Sequence, residues 1–79
     1  MTTHELKCWP SFFQAILDDR KRFELRVNDR NYQVGDVLHL REWNPELEQY
    51  TGREIRRTNT YQLHIGSTNL VAMSLGASP

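Results

Sequence analysis

Most of the features that mark an enzyme or a secreted protein are missing from this sequence. There is one cysteine, Cys8, among 79 residues. The chain therefore has no internal disulfide framework, and a lone thiol suits a reducing, cytoplasmic setting better than secretion. The four glycines, Gly35, Gly52, Gly66 and Gly76, stand far apart, so no Gly-rich phosphate loop is present. His4, His39 and His64 lack the spacing of metal ligands, and neither a metal nor any other cofactor is expected. The first ten residues, MTTHELKCWP, contain no apolar run suited to a signal peptide. No stretch approaches the ~20 apolar residues of a membrane helix, so no membrane partner is expected. Charge of one sign is absent too: ten basic side chains balance ten acidic ones. That excludes a strongly basic, non-specific nucleic-acid binder. Repeats, low-complexity segments and support for a serine or cysteine triad are all lacking. Cys8, in the run Leu6-Lys7-Cys8-Trp9, reads as a small buried hydrophobe. The length allows a single domain, 1–79, with a small core.

What is present is a succession of short periodic segments. Thr3 to Trp9 alternates and stops at Pro10, which reads as a strand closed by the extended residue before a proline. Pro10 then suits the first turn of a helix. Phe12, Phe13, Ile16 and Leu17 give that helix one apolar stripe, ending near Asp19. Phe23 to Asn28 has period two, with Phe23, Leu25 and Val27 spaced like the buried side of a strand. Turn chemistry follows in NDRNYQVGD. Val37 to Trp43 places His39, Arg41 and Trp43 on one face and Leu38, Leu40 and Glu42 on the other. A loop is expected over NPELEQYTG, then a long strand from Arg53 to Ile65. A GSTN turn, a last strand from Leu70 to Leu75 and a frayed tail over 76–79 complete the chain. The order β-α-β-β-β-β predicts an α+β, mainly β fold. The expected form is a small, mainly antiparallel pseudo-barrel with the helix plugging one end and a cleft beside it.

The segment DDRKRFELRVNDR, residues 18–30, holds nine charged side chains in thirteen positions. Lys21 falls in the turn after the helix. Glu24 and Arg26 are two apart and share a strand face. Lys21 and Arg26 are suited to a phosphate or an oxyanion. Glu24 is suited to a nucleobase amine or to proton transfer. A solvated ladder of Glu and Arg has the same spacing and would do nothing further.

Lys21-x-x-Glu24-x-Arg26 resembles the G-x-K-x-x-E-x-R signature of ASCH domains, in the PUA-like superfamily. His4-Glu5-Leu6-Lys7, Asn28-Asp29-Arg30, Val34-Gly35-Asp36, Leu40-Arg41-Glu42-Trp43 and Thr51-Gly52-Arg53-Glu54 extend the likeness. They resemble the small subgroup labelled DUF3850, from about His4 to Leu75. The resemblance implies a PUA-like pseudo-barrel whose cleft, lined by the signature residues, holds RNA. Some small relatives of this type are hydrolases that deacylate N4-acetylcytidine or cleave single-stranded RNA. On that analogy Lys21 and Glu24 would be catalytic, with Lys21 as nucleophile or oxyanion partner, Glu24 as base or base-reader, and Arg26 as an anchor. Asp19 stands where the signature has glycine; if that position needs a positive φ, Asp tolerates it better than most residues. The deacetylating relatives carry threonine in place of Glu24 and a later glutamate, for which Glu42 and Glu54 are the candidates here.

Further ligand or RNA contacts are assigned to Lys7, Asn28, Arg30, Trp43 and Arg53. Trp9 and Trp43 offer stacking surfaces, Trp43 being the favoured one. Arg53, Arg56 and Arg57 would extend a phosphate surface. Asn28-Asp29-Arg30 also reads as a plain turn. Three functions fit: a module binding single-stranded RNA or a nucleotide, a small hydrolase of an acylated nucleoside or RNA, and a protein-interaction module.

Overall fold

In the computed structural model, which describes residues 1–77, the elements are β1 (Thr3–Cys8), α1 (Pro10–Leu17), β2 (Phe23–Val27), β3 (Val37–Asn44), β4 (Gln49–His64) and β5 (Leu70–Gly76). This is the mainly β order expected from the sequence. All five strands form one sheet in the order β1-β3-β4-β5-β2. β3, β4 and β5 are a meander of consecutive antiparallel neighbours. β1 adds to it in parallel alongside β3, with Leu6 opposite Leu40. β2 adds to the far side, antiparallel to β5, with Glu24 opposite Met73. The sheet curls into a half-barrel, so the two late-added edges face one another.

Alternation decides what fills the interior. Leu6 and Cys8 of β1, Leu38 and Leu40 of β3, and Val71 and Met73 of β5 point inward and are buried. From α1, Phe13 and Ile16 join them. Burying each large apolar side chain contributes ~1.5–3 kcal/mol, which such a small core needs in full. At the opposite end Tyr32 is buried as well. The segment between β2 and β3 is thus a folded plug rather than a plain turn. Asn59 of β4 fastens it: its backbone N–H donates to the Asp36 carbonyl at 2.8 Å and its Nδ2 to the Gln33 carbonyl at 3.0 Å. Asp36 accepts from His4 Nε2 at 2.8 Å and from the Gln33 and Thr2 backbone N–H groups.

The helix stops at Leu17, two residues before the expected end. Arg20 N–H reaches the Ala15 carbonyl and Asp19 N–H the Ile16 carbonyl. This is a Schellman closure with Asp19 in the left-handed position, φ 60°. β1 closes at Cys8, and Trp9 serves as the extended N-cap. β4 begins at Gln49 instead of Arg53. Asn44 Oδ1 accepts from the backbone N–H groups of Glu46 and Leu47, and Glu48 takes φ 51°, so the turn is far shorter than its composition suggests. The expected fray is corrected at Gly76, which pairs with Thr58; Ser78 and Pro79 lie outside the described residues.

The main correction concerns β2. Phe23, Leu25 and Val27 were expected on its buried side, yet all three are about half exposed. Glu24 is the buried residue, 4% exposed, and Arg26 is half-buried beside it. Period two identifies which residues share a face; it does not say which face is inside.

Candidate functional site

Backbone pairing stops at β1 on one side and β2 on the other, and side chains span the seam between them. Arg26 Nη2 donates to the Lys7 carbonyl at 2.7 Å. Arg30 Nη1 donates to the Glu5 carbonyl at 2.9 Å. These arginines satisfy acceptors on the open edge of β1 and hold the half-barrel together where no ladder does.

A cleft of about 630 Å³ opens at one end of this seam. Its floor is ionic. Lys21 Nζ donates to Glu24 Oε1 at 2.5 Å and to the Phe23 carbonyl at 2.7 Å. Arg26 Nε donates to Glu24 Oε2 at 2.8 Å. Both carboxylate oxygens are thus occupied, which offsets the cost of burying the charge. The Schellman turn sets Lys21 over the carboxylate, and β2 alternation turns Glu24 and Arg26 inward together. Two cations against one anion leave one net positive charge at the floor.

The walls are aromatic and aliphatic. Trp9 and Phe12 stand on the helix side, and Phe23 and Leu25 on the β2 side. All four are about half exposed. Lys21 Nζ lies 5.1 Å from the Phe23 ring centroid and 5.7 Å from that of Phe12, close enough for cation–π attraction. Cys8 also lines the cleft. Burial, with the nearby Glu24 carboxylate adding to it, pushes its thiol up to about 11. At neutral pH it is a protonated thiol and a poor nucleophile.

The structure therefore brings together Lys21, Glu24 and Arg26, but not every other expected contact. Lys7 reaches the cleft wall, while its ammonium lies 3.8 Å above the Trp43 ring. Trp43 is outside the cleft, on the outward face of β3, packed edge-on against Tyr50 at 5.0 Å. Trp9, the less favoured tryptophan in the sequence, is the one at the cleft. Asn28 Oδ1 accepts from the Tyr32 backbone N–H and serves the plug. Arg30 belongs to the seam. Arg53 is also remote from the cleft: its Nη2 donates to Glu42 Oε2 at 2.8 Å, and its guanidinium lies 4.9 Å from the Phe13 ring. Arg57 Nη1 bonds the Arg56 carbonyl. The aromatic walls were missed because Phe12 and Phe23 were read as core. An apolar pattern flanking three convergent charges was the available signal.

Glu42 is the second buried glutamate, 5% exposed. It accepts from Arg53 and from Thr51 Oγ1 at 2.6 Å. The Arg53 hydrogen bond outweighs burial, and with help from Thr51 it holds the Glu42 carboxyl below its ordinary range. The other late glutamate, Glu54, lies half exposed beside His39 and Arg41. Among the described residues, no group of three His, Cys, Asp or Glu side chains is placed to hold a metal ion. No helix among them is long and apolar enough to cross a membrane.

Comparison with known proteins gives one family. A model described as "Domain of unknown function (DUF3850)" matches residues 3–73. Over 52 residues the chain is 42% identical to an "Uncharacterized 12.9 kDa protein in GpA 3'region" of Escherichia phage P2. That stretch covers 66% of this chain and 46% of the phage protein, so the chain spans about half of that relative's length.

Proposed function

The chain belongs to the DUF3850 family, and on that premise we propose that it is an ASCH-like module of PUA-like type that binds single-stranded RNA or a nucleotide, one base at a time, in the cleft beside α1. The observation that carries this reading is an ionic floor with one surplus positive charge beneath exposed aromatic walls. An unstacked base fits between Trp9, Phe12 and Phe23, where stacking is worth ~1–3 kcal/mol. A phosphate then meets Lys21 and Arg26, and a base edge meets Glu24. The cleft volume lies within the range of small-ligand sites and suits one nucleotide better than a long strand. The single cysteine accords with a reducing, cytoplasmic setting.

Titration of a short single-stranded RNA, a duplex of the same sequence and a mononucleotide, each at two salt concentrations, tests the proposal. Binding should favour the single strand. Its affinity should fall gently with salt, with a log–log slope near about −0.7, the value for one phosphate on a single strand. Absence of saturable binding to any of the three would remove the RNA and nucleotide reading.

One observation favours a second reading, a hydrolase of an acylated nucleoside or of RNA. The Lys21–Glu24 contact at 2.5 Å is a path for a proton at the cleft floor. Incubation with N4-acetylcytidine and with short RNA, beside a Lys21→Ala control, tests it. Turnover no faster than that control would exclude catalysis here.

A further inference from the structure

The apolar side of β2, which the cleft does not use up, is one strip of a larger surface. Phe23 and Tyr61 lie opposite Ser74 from its two sides, and Leu25 and Leu63 lie opposite Ala72 in the same way. Val27 lies opposite Leu70, whose carbonyl accepts the Ile65 N–H. Residues directly opposed in a ladder share a sheet face. Three consecutive rungs across β4, β5 and β2 therefore form one outward, apolar sheet face. Six of its large side chains, Phe23, Leu25, Val27, Tyr61, Leu63 and Ile65, are between 37% and 64% exposed.

We infer that this face is the contact surface of a symmetric dimer, its occupant a second copy of the same chain. From those exposures, the six large side chains present roughly 600 Å² to solvent, taking full aromatic side-chain areas of about 150–250 Å² and somewhat less for aliphatic ones. An isolated domain rarely leaves a patch of this size uncovered. Two such faces bury roughly 1,200 Å², which reaches the lower bound of a specific interface. None of the three rungs carries a charged side chain. No side chain of the rungs can neutralise phosphate, and the cation at their edge, Lys21, is held by Glu24, which disfavours nucleic acid and anionic lipid as the occupant of the face. Identical copies meet there without like-charge contact, and zero net charge adds no long-range repulsion. A twofold pairing is self-complementary by construction. Phe23 and Leu25 belong both to this face and to the cleft rim, so the two copies would bring their clefts close to the shared interface. The face stands whatever the cleft binds, but Phe23 is shared, so a base stacked on that ring would compete with the second copy for it.

Sedimentation equilibrium of the full chain between about 5 and about 500 µM tests it, a range in which a specific interface of this size is populated. The expected result is a monomer–dimer equilibrium. Leu63→Glu and Tyr61→Glu, both away from the cleft, should each weaken association at least about 100-fold, because a carboxylate would be buried against an apolar partner. Leu47→Glu changes an equally exposed apolar residue in the β3–β4 turn, off the face, and should leave association unchanged. Circular dichroism confirms that each variant is folded. A wild-type chain that stays monomeric throughout would overturn the inference and leave the face to a different protein. So would variants that dimerise as the wild type does, or a Leu47→Glu effect as large as that of Leu63→Glu.

Discussion

Glu24 and Glu42 are both buried carboxylates, 4% and 5% exposed, and each is held by arginine. Their surroundings separate them. The cations on Glu24 form the floor of an open cleft, and aromatic rings stand above them. The cation on Glu42 is folded down against α1, where Arg53 also contacts Gln14 Oε1 at 3.3 Å and lies by the Phe13 ring. One pair is placed to meet a ligand; the other braces the helix to the meander. Arg53 is the most exposed of the three cations, yet it lies against α1 and outside the cleft, so a buried ion pair is not evidence of a site until the surroundings of its partners are known.

Truncating each carboxylate tests this contrast most strongly. Glu24→Ala leaves Lys21 and Arg26 facing each other without an anion in a half-buried position. It should cost about 2 kcal/mol of stability by urea unfolding, reduced from the cost of a fully buried pair because both cations can rehydrate. Next in size is Lys21→Met, which keeps Arg26 on Glu24. It should weaken nucleotide binding at least about tenfold in a fluorescence titration while costing about 1 kcal/mol of stability, less than Glu24→Ala because Arg26 still holds the carboxylate. Equal losses of binding and stability would erase the distinction between site and brace.

Glu42→Ala frees an arginine that can turn to water. It should cost about 1 kcal/mol and leave cleft binding unchanged. Acid titration separates the same groups. The Glu42 carboxyl is lowered, chiefly by Arg53. For Asp36, burial works to raise the carboxyl, but the hydrogen bonds from His4, Thr2 and Gln33 together outweigh it and lower it. The unfolded chain then binds protons more readily than the folded one. The stability these carboxylates contribute is present above the ordinary carboxylate range and is lost as pH falls below about 4.5. Glu42→Ala should flatten that acid slope in a series of urea melts, and an unchanged slope would show that Arg53 does not hold the carboxylate.

The smallest effect is expected at Asp19, which occupies a left-handed position at φ 60°. Its exposed pair with Arg22 is worth little. Asp19→Gly should stabilise by about 0.5 kcal/mol, read as a higher urea midpoint, with binding unaltered.

Much of the fold was legible because strand and helix periods write themselves into short segments. Leu38 and Leu40 faced inward as their alternation required, and Pro10 opened the helix. Spacing put the three members of the ionic floor near one another, but a solvated ladder has the same spacing, and only the resemblance to the K-x-x-E-x-R signature singled them out. The side of β2 that faces inward was not, because the sequence favours Phe23, Leu25 and Val27 for the core. Only the tertiary pairing of Glu24 with Lys21 and Arg26 reverses that preference. Trp43 and Arg53 went to other surfaces for a similar reason: residue type suggests a ligand role, but β3 alternation and the Glu42 partner decide where each side chain lies.

The unpaired seam has a consequence for the order of assembly. β3, β4 and β5 meet through short connections, while β1 and β2 reach the sheet only by closing loops across much of the chain. Such closures come late because their entropy is spent before their contacts form. The two edges bordering the cleft are therefore the last to join and the first to leave. In native-state hydrogen exchange, the amides of β1 and β2 should exchange before those of β3 and β4, and uniform protection would contradict this order. The cleft comes into being only at the closing step of folding, so its occupant would act as a latch on the finished barrel.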